Sequence, residues 1–392
     1  MATDDEAKQA KTWDARRIAK KRQDGKPKTL TLGRGDLGSD SATLTGGETR
    51  STGSEVSFNK VLLGVKLAVQ RVKQNKPVDR KDFEEQKRIF FGEQGKETGY
   101  RRGVSAEFKD YFPQVFHRLR ACFGISDRRY LDSLGQAEMP LDLGQLGKSG
   151  SSIYYTHDIF LVIKMITRQE ARFLKNSIRK YFEYTDSNPQ TLIAGILGFH
   201  RLRTYAPHRR GYFVIIRNIF YPGEELHCST CADISQVYDI KGATFGREEA
   251  EEGKIRKDSN WLKDNTRIHV DSGECVAQLE KDAAFLAALG AMDYSLLVGI
   301  AHCVSPAPQP DLRHRLPALS PPGRVYYLGI VDILTQYRPA KRIEALFKCL
   351  FLPGESVSAV HPRTYMARFS VFLRSSVFVL PYKQTHSARV TL

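Results

Sequence analysis

The sequence is poor in cysteine: six thiols are scattered over 392 residues, with no signal peptide ahead of them. A disulfide-stapled secreted scaffold is thereby excluded, and a reduced, intracellular compartment is the expectation. Cys228 and Cys231 form one CxxC with His227 beside it. No second ligand pair follows at zinc spacing, and a closed zinc site needs about four ligands. Long uncharged apolar runs are lacking too. The longest candidate, Ala283 to Cys303, carries Asp293 at its midpoint, where a bilayer penalises charge. It reads as a buried helix entering a loop, so any membrane contact should be peripheral. Acid is in deficit: 44 Asp and Glu face 60 Lys and Arg, a formal +16. That balance favours nucleotide, nucleic acid or an anionic membrane leaflet as partner. No RNA- or DNA-binding motif with interleaved aromatics is present, so no nucleic acid is expected.

What is present begins with 41% hydrophobic residues, enough for one large domain or two lobes sharing a cleft. Residues 1–55 form a basic, Gly- and Ser-rich tail with too few large apolar groups to fold alone. From Val56 the spacing of Phe58, Val61, Leu62, Val65, Val69 and Val72 predicts a helix. A polar stretch, Lys73 to Arg102, leads to an amphipathic helix with Val115, Phe116, Leu119 and Phe123 on one face. Ser151 to Lys164 and Gly211 to Phe220 read as strands, with a helix from Arg168 to Tyr184 between them. From Glu274 a long helix, a strand from Tyr326 to Asp332 and a helix from Pro362 to Leu373 follow, interrupted by the Pro-rich loop Ser305 to Gly323.

Several segments suit phosphate chemistry. Gly147-Lys148-Ser149-Gly150-Ser151 fails as a Walker A loop, because the glycine required five residues earlier is Asp142 and the residues that follow read as a strand. A glycine hairpin over phosphates fits better. Lys164 ends the apolar run Phe160-Leu161-Val162-Ile163, as in kinases that bring an ammonium to the α- and β-phosphates, although a lysine snorkelling from a strand end has the same pattern. Glu170 is its candidate ion-pair partner. Asp293, after a helix, and Asp332, after Leu328-Gly329-Ile330-Val331, are single carboxylates delivered by apolar segments, suited to Mg²⁺ or to an attacking hydroxyl. Each alone also fits a satisfied structural acid. His-Arg-Asp, Asp-Phe-Gly and Ala-Pro-Glu are all missing, which argues against an ordinary protein kinase.

In order, Phe108-Lys109-Asp110-Tyr111, Gly147 to Ser151, Ile163-Lys164, Asn188-Pro189 with Thr191-Leu192, Asp239-Ile240-Lys241-Gly242-Ala243, Met292-Asp293-Tyr294-Ser295-Leu296-Leu297 and Ile330-Val331-Asp332-Ile333-Leu334 resemble the phosphatidylinositol phosphate kinases, from about Phe58 to Leu373. The resemblance implies an α+β, two-lobed kinase-like fold, with an antiparallel sheet in the amino-terminal lobe (residues 56–225) and a smaller mixed carboxy-terminal lobe (226–392). It implies ATP and Mg²⁺ as cofactors. Gly147, Lys148, Ser149, Gly150, Ser151, Lys164 and Asn218 would bind ATP, Asp293 and Lys241 would serve catalysis with Lys164, and Asp332 would hold the metal. Arg247 would bind the phosphate already on the lipid, a role suited to a planar guanidinium. Lys341-Arg342 with Glu344, in the specificity loop 335–360, resembles the branch acting on phosphatidylinositol 4-phosphate rather than the 5-phosphate. A peripheral enzyme on the cytosolic face of an anionic membrane, acting on a phosphoinositide and forming a homodimer, is the corresponding expectation. The alternatives are another monophosphate isomer as substrate, or an inactive phosphoinositide-binding scaffold. Arg217, Ala243 and Thr266 depart from the family's methionine, serine and aspartate, which bears on efficiency more than on reaction class.

Overall fold

The computed structural model describes residues 53–92, 96–98, 104–135, 153–205, 208–221, 231–244, 246–250, 255–270, 272–303, 315–317, 324–337 and 361–380. In chain order these form α1 (Gly53–Gln70), β1 (Gln86–Gly92), β2 (Glu97–Thr98), β3 (Val104–Tyr111), α2 (Pro113–Cys122), α3 (Asp127–Gly135), β4 (Ile153–Tyr155), β5 (Leu161–Ile166), α4 (Arg168–Ser187), β6 (Ile196–Tyr205) and β7 (His208–Arg217). Then come β8 (Cys231–Ile240), β9 (Arg256–Lys257), α5 (Asp258–Lys263), β10 (Ile268–His269), α6 (Glu274–Leu289), β11 (Ser295–Cys303), β12 (Arg315–Pro317), β13 (Arg324–Val331), α7 (Pro362–Phe372) and β14 (Phe378–Val379).

The fold is α+β. A seven-stranded antiparallel sheet runs in the order β2-β1-β3-β6-β7-β5-β4, and a five-stranded mixed sheet in the order β12-β13-β11-β8-β9. On β3, Ala106 and Phe108 join Ile163, Leu197, Phe213 and Ile215 in a core that also takes in α1 and α3 residues Val65, Val69 and Tyr130. The alternation of a strand then sends Glu107, Lys109 and Tyr111 to the opposite face. The helix α4 starts at a capping box, with Thr167 Oγ1 accepting from the Glu170 N–H at 3.2 Å and the Glu170 carboxylate accepting from the Thr167 N–H at 2.7 Å. Its buried Ala171, Leu174, Ile178 and Tyr181 recur at helical spacing.

A short buried clasp joins the two sheets. Asp282 of α6 accepts hydrogen bonds from Tyr184 Oη (2.6 Å), Thr191 Oγ1 (2.8 Å), the Leu192 N–H (2.7 Å) and Gln278 Nε2 (2.8 Å). Burial raises its pKa against the pull of those bonds. The segment it holds pairs with β13 of the smaller sheet: the Ile330 N–H donates to Leu192 O at 2.8 Å and the Ala194 N–H to Ile330 O at 2.9 Å.

The structure corrects four readings. The apolar run from Ala283 is a helix only to Leu289; Gly290, at φ +77°, ends it, and Ser295–Cys303 is a central strand. A continuous apolar run has no period to separate a buried strand from a buried helix. The polar stretch from Lys73 contains β1, whose Ile89 and Phe91 alternate into the core. Ser151 to Lys164 is two strands, with Ile159 at φ +54° in the turn between them. Glu170 caps its own helix, and Lys164 pairs with Asp332 instead. Among the described residues no helix is long and apolar enough to cross a membrane.

Candidate active site

Strand register assembles the site. Ile240 of β8 lies opposite Leu296 of β11, and Leu296 opposite Ile330 of β13. The residues just past that row therefore gather at one edge of the smaller sheet: Lys241 after β8, Asp293 before β11 and Asp332 after β13. Both aspartates are left-handed at φ +62°, a conformation aspartate tolerates better than bulkier side chains. Their turns are tied down. The Met292 N–H donates to Thr335 O at 2.9 Å and the Tyr337 N–H to Gly290 O at 3.0 Å. From α7, the hydroxyl of fully buried Tyr365 donates to the carbonyl of Tyr294. Burial, with Asp293 and Tyr294 nearby, pushes the Tyr365 pKa well up, so this donor keeps its proton.

Two ion pairs span the edge. Lys164 of β5 pairs with Asp332, and Lys241 Nζ lies 2.7 Å from Asp293 Oδ1. Lys164 and Asp332 line a cleft between the sheets whose apolar walls include Val214, Ile216, Leu297 and Ile330. Asn218 also lines it, with its side chain committed to the backbone: Nδ2 donates to Ile159 O at 2.7 Å and Oδ1 accepts from the Phe220 N–H at 3.1 Å. Arg217, in place of the family's methionine, lines the same wall.

The Lys241 turn rests on a residue that the sequence reading missed. Asp258, fully buried at the start of α5, accepts from the backbone N–H groups of Lys241 (2.9 Å), Gly242 (2.7 Å) and Ala243 (3.1 Å). Its other oxygen takes Arg247 Nε at 2.5 Å. Arg247 also donates to the Asp239 carbonyl at 2.5 Å. Burial draws the Arg247 pKa down, but Asp239 and Asp258 outweigh it and hold it above its ordinary value. Gly242 needs to be glycine: it sits at φ +73°, and a Cβ there would lie 3.0 Å from the Phe369 Cα. Because the Ala243 contact is through the backbone, loss of the family's serine leaves this turn intact. The signal for Asp258 was an acid opening a short helix with an apolar pair, Trp261-Leu262, three residues on.

Lys164, Lys241, Asp293 and Asp332 thus meet at one edge, with Arg247 beside the Lys241 turn and Asn218 on the cleft wall. Gly147, Lys148, Ser149, Gly150, Ser151, Lys341, Arg342 and Glu344 lie outside the described residues. Among the described residues no group of three or more His, Cys, Asp or Glu is arranged to hold a metal by itself. Two carboxylates and two lysines at one sheet edge, one pair of them lining the cleft, is a charge pattern suited to a polyphosphate and its cation.

A family model described as Phosphatidylinositol-4-phosphate 5-Kinase matches residues 134–318 and 309–376. Phosphatidylinositol 4-phosphate 5-kinase its3 of Schizosaccharomyces pombe is 28% identical over 82% of this chain and 53% of its own length. The chain therefore spans about half of that relative. Phosphatidylinositol 4-phosphate 5-kinase-like protein 1 of Mus musculus is 32% identical over 65% of this chain and 71% of its own. Phosphatidylinositol 5-phosphate 4-kinase type-2 alpha of Gallus gallus is 29% identical over 68% and 77%. With the family model running from residue 134 to residue 376, the chain belongs to the phosphatidylinositol phosphate kinase family.

Proposed function

We propose that the protein transfers the γ-phosphate of ATP to the 5-hydroxyl of phosphatidylinositol 4-phosphate at an anionic, cytosolic membrane surface. The observation that carries this reading is the convergence of Lys164, Lys241, Asp293 and Asp332 at one edge of the smaller sheet, where Lys164 and Asp332 line the cleft. In phosphoryl transfer the barrier falls mainly through positioning and charge neutralisation, which is what such a set supplies. Lys164 releases Asp332 and holds the α- and β-phosphates of ATP. Lys241 releases Asp293 and faces the transferring phosphoryl group. The inositol oxygen forms its bond to the γ-phosphorus as the bond from that phosphorus to the β–γ bridging oxygen breaks. The hydroxyl proton passes to the Asp293 carboxylate, and ADP leaves with the bridging oxygen.

Mg²⁺ fits the donors present. It takes one or two protein carboxylates and completes its shell with phosphate oxygens and water, and Asp332 offers a half-exposed carboxylate on the cleft. It would neutralise charge on the β- and γ-phosphates. The choice of isomer rests on Lys341, Arg342 and Glu344 and on the printed names of the yeast and mouse relatives; the chicken relative carries the opposite isomer in its name. Arg247 is the proposed contact for the 4-phosphate, and its tether to Asp258 would hold the guanidinium in place.

The test is a panel of vesicles, each with one phosphatidylinositol monophosphate, given radiolabelled ATP and Mg²⁺. The expected result is label on phosphatidylinositol 4-phosphate above the other isomers, with Glu344→Ala moving preference toward the 5-phosphate. Preference of the wild type for another isomer would overturn the choice of substrate. Binding to every vesicle without label on any lipid would replace the enzyme with a phosphoinositide-binding scaffold.

A further inference from the structure

A second concentration of charge lies on the larger sheet, outside the set that handles phosphoryl transfer. Register places Arg88 of β1 directly opposite Lys109 of β3, Lys109 opposite Arg201 of β6, and Arg201 opposite Tyr212 of β7. Tyr212 in turn faces Ile166 of β5, two residues beyond Lys164. Residues directly opposite in antiparallel strands share a face, and like charges in that position repel. Three cations therefore stand in one cross-strand row on the face that also carries Lys164. A fourth, Lys175, reaches the row from α4, with Nζ 4.1 Å from the centroid of the Tyr111 ring and 5.4 Å from that of Tyr212. Lys109 Nζ lies 5.7 Å from the same Tyr111 ring, so two ammonium groups share one aromatic ring.

The neutralising charge is sparse. Among the described residues the carboxylate at ion-pair distance is Glu107, 2.7 Å from Arg201 and 3.8 Å from Arg88, and it also accepts from Tyr205 Oη at 3.2 Å. Lys109 Nζ donates to the neutral Gln86 Oε1 at 3.1 Å. Arg201 Nε is buried without a hydrogen-bond partner among the described residues. Burial, then Lys109 and Arg201, lower the Lys175 pKa to about 8, and burial with Arg201 and Arg88 lowers that of Lys109. Buried charges are ordinarily paired. A row of cations sharing one acid is an incomplete site whose missing component is negative.

The geometry points to an anion site for a phosphate group, formed by Lys109, Lys175 and Arg201 on the face of the larger sheet and distinct from the cleft. A phosphomonoester is the fitting chemistry: its oxygens take several charge-assisted hydrogen bonds at once and would satisfy Arg201 Nε together with the two ammonium groups. The row reaches Ile166, which lines the cleft, so an occupied site would sit beside the nucleotide pocket. The phosphate belongs either to free inorganic phosphate or to a phosphoinositide headgroup presented by a membrane.

The test uses the full chain and needs no turnover. Thermal unfolding is followed in chloride and in inorganic phosphate at equal ionic strength for the wild type, Lys175→Gln and Lys175→Arg. Phosphate entering the cleft acts equally on all three. The expected result is that Lys175→Gln is at least as stable as the wild type in chloride, since repulsion is relieved, yet gains less from phosphate, while Lys175→Arg gains as the wild type does. Sedimentation with phosphatidylinositol 4-phosphate vesicles, against phosphatidylserine vesicles of equal charge, separates the sources. A headgroup ligand predicts binding about tenfold weaker for Lys175→Gln on the phosphoinositide vesicles alone, the loss of one charge-assisted contact. A free-phosphate ligand predicts unchanged vesicle binding with the difference in unfolding retained. Equal phosphate gains for wild type and Lys175→Gln, with equal vesicle binding, would overturn the site.

Discussion

At the edge of the smaller sheet three cations each face an acid: Lys164 meets Asp332, Lys241 meets Asp293 and Arg247 meets Asp258. On the face of the larger sheet Arg88, Lys109 and Arg201 share Glu107, with Lys175 beside Lys109 and Arg201. The difference teaches how each region meets an anion. At the paired edge an incoming phosphate has to displace carboxylates, which keeps lysines and acids poised near one another and suits a reaction in which charge moves. On the crowded face a phosphate displaces nothing and relieves repulsion, which suits binding without chemistry.

Breaking the pairs should cost far more than thinning the crowd. Asp332→Asn is expected to lower turnover by about 10²- to 10³-fold, the scale for one preorganised electrostatic contact in a transfer site, read by steady-state labelling of lipid. Asp258→Ala removes the fully buried anchor of the Lys241 turn and leaves half-buried Arg247 with Asp239 alone. It should cost about 3–5 kcal/mol in urea unfolding, the usual cost of breaking a buried pair from one side. Tyr365→Phe takes only the hydroxyl from the Tyr294 carbonyl and should cost about 1 kcal/mol, with a fall in kcat at unchanged KM for ATP. Equal effects on kcat and on KM would put Tyr365 outside the positioning of Asp293.

The smallest effect tests the crowded face. Because the Lys175 pKa lies at about 8 in the folded chain against 10.5 for an ordinary lysine, the unfolded chain binds more protons between those values. Stability should therefore rise with pH across that window through this group. The difference in unfolding free energy between wild type and Lys175→Met, measured in chloride from pH 8 to about 10, should move in favour of the wild type. A flat difference would show that neither burial nor the neighbouring cations shift Lys175.

Part of the candidate site was legible in the sequence. Asp332 stands just beyond the end of an apolar strand and Lys164 inside another, and α4 declares itself through the spacing of Ala171, Leu174, Ile178 and Tyr181. The pairing of Lys241 with Asp293 was not legible, because it depends on β8 lying beside β11 in one register. Asp258 and Asp282 were hidden for a related reason: their partners are mostly backbone N–H groups and distant hydroxyls, which carry no sequence signature. The cation row is the extreme case. Arg88, Lys109 and Arg201 come from separate parts of the chain, and only sheet order makes them neighbours.

The most direct test of the central claim is transfer of label from γ-labelled ATP to phosphatidylinositol 4-phosphate vesicles by the wild type and Asp293→Asn at matched protein. Labelled phosphatidylinositol 4,5-bisphosphate from the wild type, reduced by about 10²- to 10⁴-fold in the variant, is the predicted result for loss of a general base. Equal labelling by the two proteins, or none by the wild type, would contradict it.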